Sequence, residues 1–159
     1  MEDGNTFVNK QQYNEAVHRY TYALKRIPSE KTDKHEKVFT HIKAHLLLKL
    51  SRCKRKQRAF QEAIQLASEV INMNIFSFEA YHARSKVQYD RGNIKEALAD
   101  LNEAVTRAPS NMELLKEMVK LRRELGLNNQ DKETMLNIKP ESHEISASFN
   151  IVSMKPTHL

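Results

Sequence analysis

Two histidines have the spacing of a metal site. His41 and His45 lie four residues apart, so a helix would place both imidazoles on one face, where they suit two ligands of a metal ion. No third ligand is spaced to complete such a site. We therefore favour a pair of solvated or groove-lining histidines, and we expect neither a metal ion nor another cofactor.

The single cysteine is the other candidate for chemistry. Cys53 stands between Arg52 and Lys54, and neighbouring positive charges can lower the pKa of a thiol and make it reactive. A small buried thiol between packed helices is the favoured alternative. The sequence shows no Ser-His-Asp order, glycine-rich phosphate loop or paired catalytic carboxylates, so we expect no enzyme. One cysteine and no signal-like leading segment favour a reduced, intracellular setting.

Positive charge is unevenly distributed along the chain. The 159 residues carry a formal charge of +6. Residues 127–159 contain three Lys and four acidic residues, so residues 1–126 hold 23 basic and 16 acidic side chains, a balance of +7. Five bases fall within "SRCKRKQRAF", which begins at Ser51. A basic domain attracts nucleic acid, anionic lipid surfaces or acidic peptides, and net charge alone does not choose between them.

An internal repeat must position these residues. Segments beginning at Gly4, Ser51 and Ser85 each open with a small residue, have an apolar or aromatic residue nine positions later, and have an alanine three positions after that. The residues concerned are Tyr13, Phe60 and Ile94, followed by Ala16, Ala63 and Ala97. Ala63 and Ala97 are 34 residues apart. With only 3 Gly and 4 Pro in the chain, this period predicts helical hairpins stacked in a solenoid.

These segments resemble the tetratricopeptide repeat (TPR). In that family a proline ends the second helix of a repeat, and Pro28 and Pro109 stand there in the first and third segments. The resemblance implies an all-α fold, a TPR helical-hairpin solenoid. It divides the chain into repeats at about 1–30, 33–75 and 77–109, a capping helix at 110–126 and a C-terminal tail at 127–159. We expect Ser110 or Asn111 to cap the last helix and Gly126 to stop it.

An insertion separates the first two repeats. Ala16 and Ala63 are 47 residues apart, 13 more than the repeat period. The inserted residues have helical apolar spacing and a capping-box pattern at Asp33 and Glu36. We predict an extended first helix in repeat two, about 35 Å long, whose first turns overhang the stack.

In TPR domains the first helices line a concave groove, so the resemblance implies which side chains face a ligand. The expected groove residues are Asn5, Asn9, His45, Lys49, Arg52, Arg55, Lys56, His82, Lys86 and Tyr89. Neighbouring positions expected on the same surface are Val8, Leu48, Glu79, Ala83, Asp90, Lys120 and Arg123. Because bases predominate, we expect a peptide segment of another protein that carries acidic side chains or a free carboxylate.

Nucleic acid or an anionic surface is the rival partner. The bases of "KRKQR" could contact phosphates and Tyr89 could stack on a base. Aromatic residues are sparse, however, and Glu79 and Asp90 share the expected groove, so we consider nucleic acid unfavoured and expect no direct membrane insertion. A solvated basic helix face is the remaining alternative.

One TPR binding mode can be compared residue by residue. TPR co-chaperones hold the acidic C termini of Hsp70 and Hsp90 with a clamp of Lys, Asn, Asn, Lys and Arg. The matching positions here are Met1, Asn5, Lys49, Glu79 and Ala83. Only Asn5 retains the family's residue, and Glu79 would repel a ligand carboxylate. The comparison predicts poor binding of those termini.

A narrower resemblance covers about residues 4–125. The segments "YALKRIP", "LSRCKRK" and "EAYHARSKVQYDRGNIKEALADLNEAV" resemble the TPR domain of the TANC and rolling pebbles scaffold proteins. That resemblance implies a cytoplasmic, membrane-proximal scaffold at synapses or at sites of cell adhesion and myoblast fusion. Such a scaffold recruits the cytoplasmic tails of membrane receptors.

The tail departs from helical periodicity and contains the alternating stretch "SASFNIVSM". It could be disordered, fold back on the solenoid, or be a partner's receptor tail joined to the domain, and we favour the last two. The ligand-like residues would be Glu141, Glu144, Phe149, Ile151 and Met154. Thr157 and Leu159 fit the C-terminal pattern of peptides that PDZ domains bind, and adhesion receptors of the Kirre and nephrin-like group have similar ends.

Overall fold

The computed structural model describes residues 3–28, 35–73 and 78–127, all within one compact unit, Met1–Leu127. These residues form α1 (Gly4–Asn9), α2 (Tyr13–Lys25), α3 (Glu36–Lys56), α4 (Phe60–Asn72), α5 (Phe78–Arg91), α6 (Ile94–Arg107) and α7 (Met112–Glu124). Three hairpins, α1–α2, α3–α4 and α5–α6, stack in chain order, and α7 packs on α6. The expected all-α hairpin solenoid is confirmed. None of the described helices has the length and apolar character needed to cross a membrane.

Small residues let the two helices of each hairpin approach closely. Ala63 and Ala97 are fully buried at the contact. Ser51 Oγ donates a hydrogen bond to the carbonyl oxygen of Ala63 at 2.7 Å, and Ser85 Oγ donates to that of Ala97 at 2.8 Å. The repeat pattern of a small residue and an alanine twelve positions later is therefore a helix–helix contact with its own hydrogen bond.

The first hairpin uses a glycine at the same position. A Cβ at Gly4 would lie 2.4 Å from Tyr20 Cε1, because the tyrosine ring occupies the space beside the glycine. The equivalent residues of the other hairpins are Ala67 and Leu101, which lack a ring. Gly4 is thus required by Tyr20.

The three hairpin turns share one backbone conformation. Gln11, Arg58 and Gly92 each precede the second helix by two residues, and their φ angles are 58°, 61° and 89°. This left-handed region is unfavourable for residues with a Cβ. Only the third hairpin places a glycine there.

Much of the described core falls in two apolar clusters, and further buried residues lie on α6 and α7, among them Leu101, Leu114 and Met118. One joins the first hairpin to α3 and contains Ala16, Tyr20, Leu50 and Cys53. The other lies between α3, α4 and α5 and contains Ala44, Leu47, Leu48, Val70, Ala80 and Ala83. Leu48 and Ala83 are only 8% and 7% exposed, so both pack chiefly in the core, and whether they also face a ligand stays a prediction. Cys53 is buried, as the packed-thiol interpretation requires.

The long helix of the second repeat is confirmed. α3 has 21 residues, about 32 Å at the usual rise. It begins at Glu36 after His35, whose side chain makes no capping hydrogen bond; Asp33 lies outside the described residues. Val38 and Ile42 are 55% and 44% exposed, which agrees with first turns that extend past the stack.

The last helix covers the end of the core. Asn111 caps α7 by accepting hydrogen bonds from the backbone N–H groups of Glu113 and Leu114. Leu114 and Met118 are buried against the preceding hairpin. Gly126 follows the helix with φ +67°, so the expected cap and stop are both found.

Candidate functional site

A basic cavity lies where the first hairpin meets α3. Its volume is about 250 Å³. The residues that line this N-terminal cavity are Asn5, Val8, Tyr13, Tyr20, Lys49, Arg52, Cys53, Arg55 and Lys56. The helical spacing of three and four residues brings the bases of α3 to one face. Among the described residues, no acidic side chain lines this cavity.

The polar groups of the N-terminal cavity are hydrogen-bond donors. Asn5 Oδ1 accepts hydrogen bonds from the Tyr20 hydroxyl at 2.8 Å and from Lys49 Nζ at 2.7 Å. These bonds occupy the amide oxygen, and the Asn5 side chain also lies within hydrogen-bonding reach of the Asp3 carboxylate. Burial raises the pKa of the Tyr20 hydroxyl, which keeps it protonated and neutral. Lys49 also lies over the Tyr20 ring, 5.8 Å from its centroid.

Arg52 and Lys56 complete this donor set. Both side chains are exposed, and the described part of the chain offers neither an acidic partner. Unpaired cations beside a low-dielectric wall attract anions more strongly than solvated cations do. The cavity can therefore hold a carboxylate through charge-assisted hydrogen bonds.

A second cavity of about 430 Å³ lies between α3, α5 and the start of α7. Its lining residues are Arg52, Arg55, Phe78, Glu79, His82, Ala83, Lys86, Asn111 and Glu113. Because Arg52 and Arg55 line both cavities, this C-terminal cavity adjoins the first. Its lining mixes acidic and basic side chains.

Three of the four bases that line the C-terminal cavity are paired within the chain. Glu117 of α7 receives hydrogen bonds from His82 Nε2 at 2.7 Å and from Lys86 Nζ at 3.2 Å. Burial opposes ionisation of Glu117, but the hydrogen bonds and charges of His82 and Lys86 outweigh it and hold its pKa below the ordinary value. Arg55 pairs with Asp90 at 2.9 Å.

The structure divides the predicted groove residues into groups. The N-terminal cavity contains Asn5, Lys49, Arg52, Arg55 and Lys56, and the C-terminal cavity contains His82 and Lys86 as well as the two shared arginines. Asn9 and His45 line neither cavity, although both are exposed. Tyr89 donates a hydrogen bond to Glu124 Oε1 at 3.1 Å. Whether these residues bind a peptide stays a prediction.

Two contributors were missed from the sequence. Tyr20 had a usable signal, because it is far larger than the equivalent Ala67. Glu117 had none, since the repeat pattern does not indicate which face of α7 turns towards α5. The tail residues Glu141, Glu144, Phe149, Ile151, Met154, Thr157 and Leu159 lie outside the described residues.

The structure gives neither the pair His41 and His45 nor Cys53 an environment suited to chemistry within the described residues. His41 Nδ1 lies 2.7 Å from the carbonyl oxygen of Lys37, and within residues 3–28, 35–73 and 78–127 no group of three potential metal ligands occurs. Burial raises the pKa of the Cys53 thiol, an effect that the charge of Lys49 partly offsets. The thiol is therefore protonated at neutral pH rather than activated.

Solved structures identify the fold. The C-terminal TPR-containing domain of a Plasmodium falciparum FK506-binding protein superposes with a TM-score of 0.65 and 23% identity, over 77% of this chain and 83% of that chain. The first TPR domain of Spaghetti (RPAP3), solved with the HSP90 peptide SRMEEVD, gives 0.61 and 20% over 77% and 87% of the two chains. The described residues therefore have the helical-hairpin fold of these TPR domains.

Sequence relatives extend well beyond this TPR domain. Protein unc-45 homolog B of Xenopus tropicalis is 27% identical over 131 residues, which is 82% of this chain but 13% of that protein. The chain thus spans a small part of this curated relative. No protein-family model matches the chain.

Proposed function

We propose that this TPR domain binds an extended acidic peptide and takes one of its carboxylates into the N-terminal cavity. The supporting observation is a set of three cations, Lys49, Arg52 and Lys56, in a cavity that no acidic side chain lines among the described residues. A carboxylate accepts several hydrogen bonds at once, so it can pair with two of these cations together.

The wall of this cavity supports a peptide rather than a free ion. Val8, Tyr13 and the ring of Tyr20 supply apolar surface beside the cations. An extended peptide that carries an acidic side chain next to an apolar one would use both surfaces, since alternate side chains point to opposite sides. A small anion would use only the donors.

We further propose a cytoplasmic tail of a membrane adhesion receptor as the physiological ligand. This step rests on the resemblance to TANC and rolling pebbles scaffold proteins, and it would place the domain at the cell cortex, at synapses or at sites of myoblast fusion. The chain's own residues 139–159 are a candidate of the same chemistry, because Glu141 and Glu144 precede the apolar Phe149 and Ile151. Their C-terminal residues Thr157 and Leu159 would remain available to a PDZ domain.

Fluorescence anisotropy with a labelled synthetic peptide of residues 139–159 tests the proposal. We expect Lys49→Glu with Arg52→Glu to weaken binding by at least about tenfold, because each reversal replaces an attraction with a repulsion. Lys95→Glu with Lys116→Glu is the matched control, since it makes the same charge change at exposed residues outside both cavities. The control should bind as the parent does.

One further comparison tests whether the chain's own residues 128–159 bind in the site. If residues 128–159 occupy the site themselves, the chain ended after Leu127 will bind the labelled peptide more tightly than the full chain does. Equal affinities of the parent and the Lys49→Glu, Arg52→Glu variant in the shortened chain would contradict groove binding. Binding of any single-stranded oligonucleotide with a steep salt dependence, and of no peptide, would indicate nucleic acid instead.

A further inference from the structure

The two cavities of the TPR domain differ in charge although they share a wall. The N-terminal cavity is lined by four bases, Lys49, Arg52, Arg55 and Lys56, and by no acid among the described residues. The C-terminal cavity is lined by acidic and basic residues together, with Glu79 and Glu113 among them. A bound peptide therefore meets positive charge at one end and compensated charge at the other.

Glu117 pairs with the bases that α5 contributes to the C-terminal cavity. His82 and Lys86 are the only bases that α5 contributes to the lining in the described structure, and Glu117 binds both of them at 2.7 and 3.2 Å. The side chains of His82 and Glu117 are only 15% and 29% exposed. Because both side chains are partly buried, salt screens this contact less than it screens one in open solvent.

A ligand carboxylate cannot replace Glu117 at low cost. It would approach His82 and Lys86 while the charge of Glu117 is already there, so the two carboxylates would repel each other. Displacing Glu117 would instead leave its charge without partners in a partly buried position, which is costly.

We propose that Glu117 is a specificity-determining residue that occupies an acidic subsite from within the chain. The TPR domain then accepts a peptide with its carboxylate in the N-terminal cavity and a neutral or cationic residue in the C-terminal cavity. It discriminates against peptides that are acidic at both places. This inference rests on the proposed function, because it assumes that the N-terminal cavity binds the first carboxylate.

Two synthetic peptides provide the test. SRMEEVD carries two glutamates before its terminal aspartate, and SRMQQVD keeps the terminal aspartate and replaces both glutamates with neutral isosteres. We expect the parent chain to bind SRMQQVD at least as tightly as SRMEEVD in calorimetry. Glu117→Gln should raise the affinity for SRMEEVD about fivefold or more and leave that for SRMQQVD nearly unchanged, because it frees His82 and Lys86 without changing side-chain shape.

Glu96→Gln is the matched control, since it removes one negative charge at an exposed position of α6 that lines neither cavity. It should alter both affinities equally and slightly. A thermal melt of Glu117→Gln establishes whether the variant is folded. If it is not, His82→Gln with Lys86→Gln replaces it. That variant leaves the Glu117 carboxylate without its partners, so it should increase the preference for SRMQQVD over SRMEEVD, and an unchanged preference would contradict the role of Glu117.

The outcomes separate the two proposals. If Lys49→Glu with Arg52→Glu weakens SRMQQVD binding but Glu117→Gln leaves the preference between peptides unchanged, the role of Glu117 is wrong and groove binding stands. If the charge reversal has no effect on either peptide, both proposals fail. If neither peptide binds the parent or the Glu117→Gln variant at millimolar concentration, the role of Glu117 is wrong, and groove binding is decided by the peptide of residues 139–159.

Discussion

The Ser51 hydroxyl donates a 2.7 Å hydrogen bond to the carbonyl oxygen of Ala63, twelve residues along the chain. Ser85 and Ala97 make the same contact in the next hairpin at 2.8 Å. Both serines are buried and both alanines are fully enclosed. The contact therefore fixes how closely the helices of a hairpin pack and explains why a small hydroxyl residue recurs at this position.

Replacing Ser51 with Ala should lower the free energy of unfolding by about 1 kcal/mol, the usual net value of a buried neutral hydrogen bond. Ser85→Ala should have a similar effect, and the double variant should show nearly additive losses because the two contacts are separate. Urea unfolding followed by circular dichroism measures these values. Ser110→Ala, at an exposed position before α7, is the control, and a Ser51→Ala effect no larger than this control would contradict the assignment.

The hairpins could be predicted from the sequence because their contacts repeat. The alanine at 34-residue spacing, the small residue twelve positions before it and the prolines after the second helices each reflect a packing or backbone constraint that every hairpin must meet. The start of α3 was harder to predict. The inserted residues lie outside the repeat, so the capping-box pattern at Asp33 is the sole sequence signal for the start. In the structure α3 begins at Glu36.

Gly4 provides a prediction about the first hairpin. An alanine within a helix is normally favoured over glycine by up to about 1 kcal/mol. Here Gly4→Ala should instead destabilise the domain by about 1–3 kcal/mol, because the new Cβ would overlap the Tyr20 ring at 2.4 Å. It should also weaken peptide binding, since the displaced hydroxyl would lose its hydrogen bond to Asn5.

The matched test of this contact is a double-mutant cycle with Tyr20→Leu, the residue type of the third hairpin. Leucine removes the ring, so Gly4→Ala should cost little in the Tyr20→Leu background. Thermal and urea unfolding give the four free energies. Additive effects of the two substitutions would show that the ring does not cause the requirement for glycine.

Substitutions at equivalent positions of two hairpin turns should change the free energy of unfolding in opposite directions. Gly92 has φ +89° and no atom within 4 Å of an added Cβ, so Gly92→Ala tests backbone strain alone. We expect a loss of about 1–2 kcal/mol. Gln11→Gly, at φ 58°, should be neutral or stabilising because it relieves the same strain. Equal losses at both positions in urea unfolding would contradict a shared left-handed turn.

The candidate site was only partly predictable, for reasons that individual residues make clear. Lys49, Arg52 and Lys56 could be assigned to one face because helical spacing determines direction within α3. Leu48 borders the same face, yet it packs chiefly in the core with residues of α4 and α5, which the spacing within α3 does not reveal. His82 on α5 and Glu117 on α7 are 35 residues apart in the sequence. No rule of residue spacing reveals which side chains of these two helices meet.

Cys53 offers a chemical probe of the N-terminal cavity. Burial raises the pKa of its thiol, so the thiolate fraction at pH 7 is smaller in the folded chain than in the unfolded chain, and alkylation by iodoacetamide should be correspondingly slower. Because Cys53 lines the cavity, a bound peptide should slow the reaction further. Mass spectrometry of timed samples, with a urea-unfolded sample as the reference, measures both effects. Native alkylation as fast as the reference reaction would contradict the buried thiol.

Glu117 also predicts how stability depends on pH. Its folded pKa lies below the ordinary value of 4.5, so its ionised form is stabilised by folding. That contribution is complete above about pH 4.5 and is lost as the pH falls through the lower folded value, where the carboxylate takes up a proton. Glu117→Gln lacks this titration and should be less stable than the parent at neutral pH.

Urea unfolding of both chains from pH 7 to pH 3 measures the difference in the free energy of unfolding. We expect a difference of about 1 kcal/mol at neutral pH that declines below pH 4.5, as befits a partly buried ion pair. Glu96→Gln should differ little from the parent across the range. A difference that stays constant down to pH 3 would mean that Glu117 contributes through packing alone, because only the charged carboxylate carries the pH dependence.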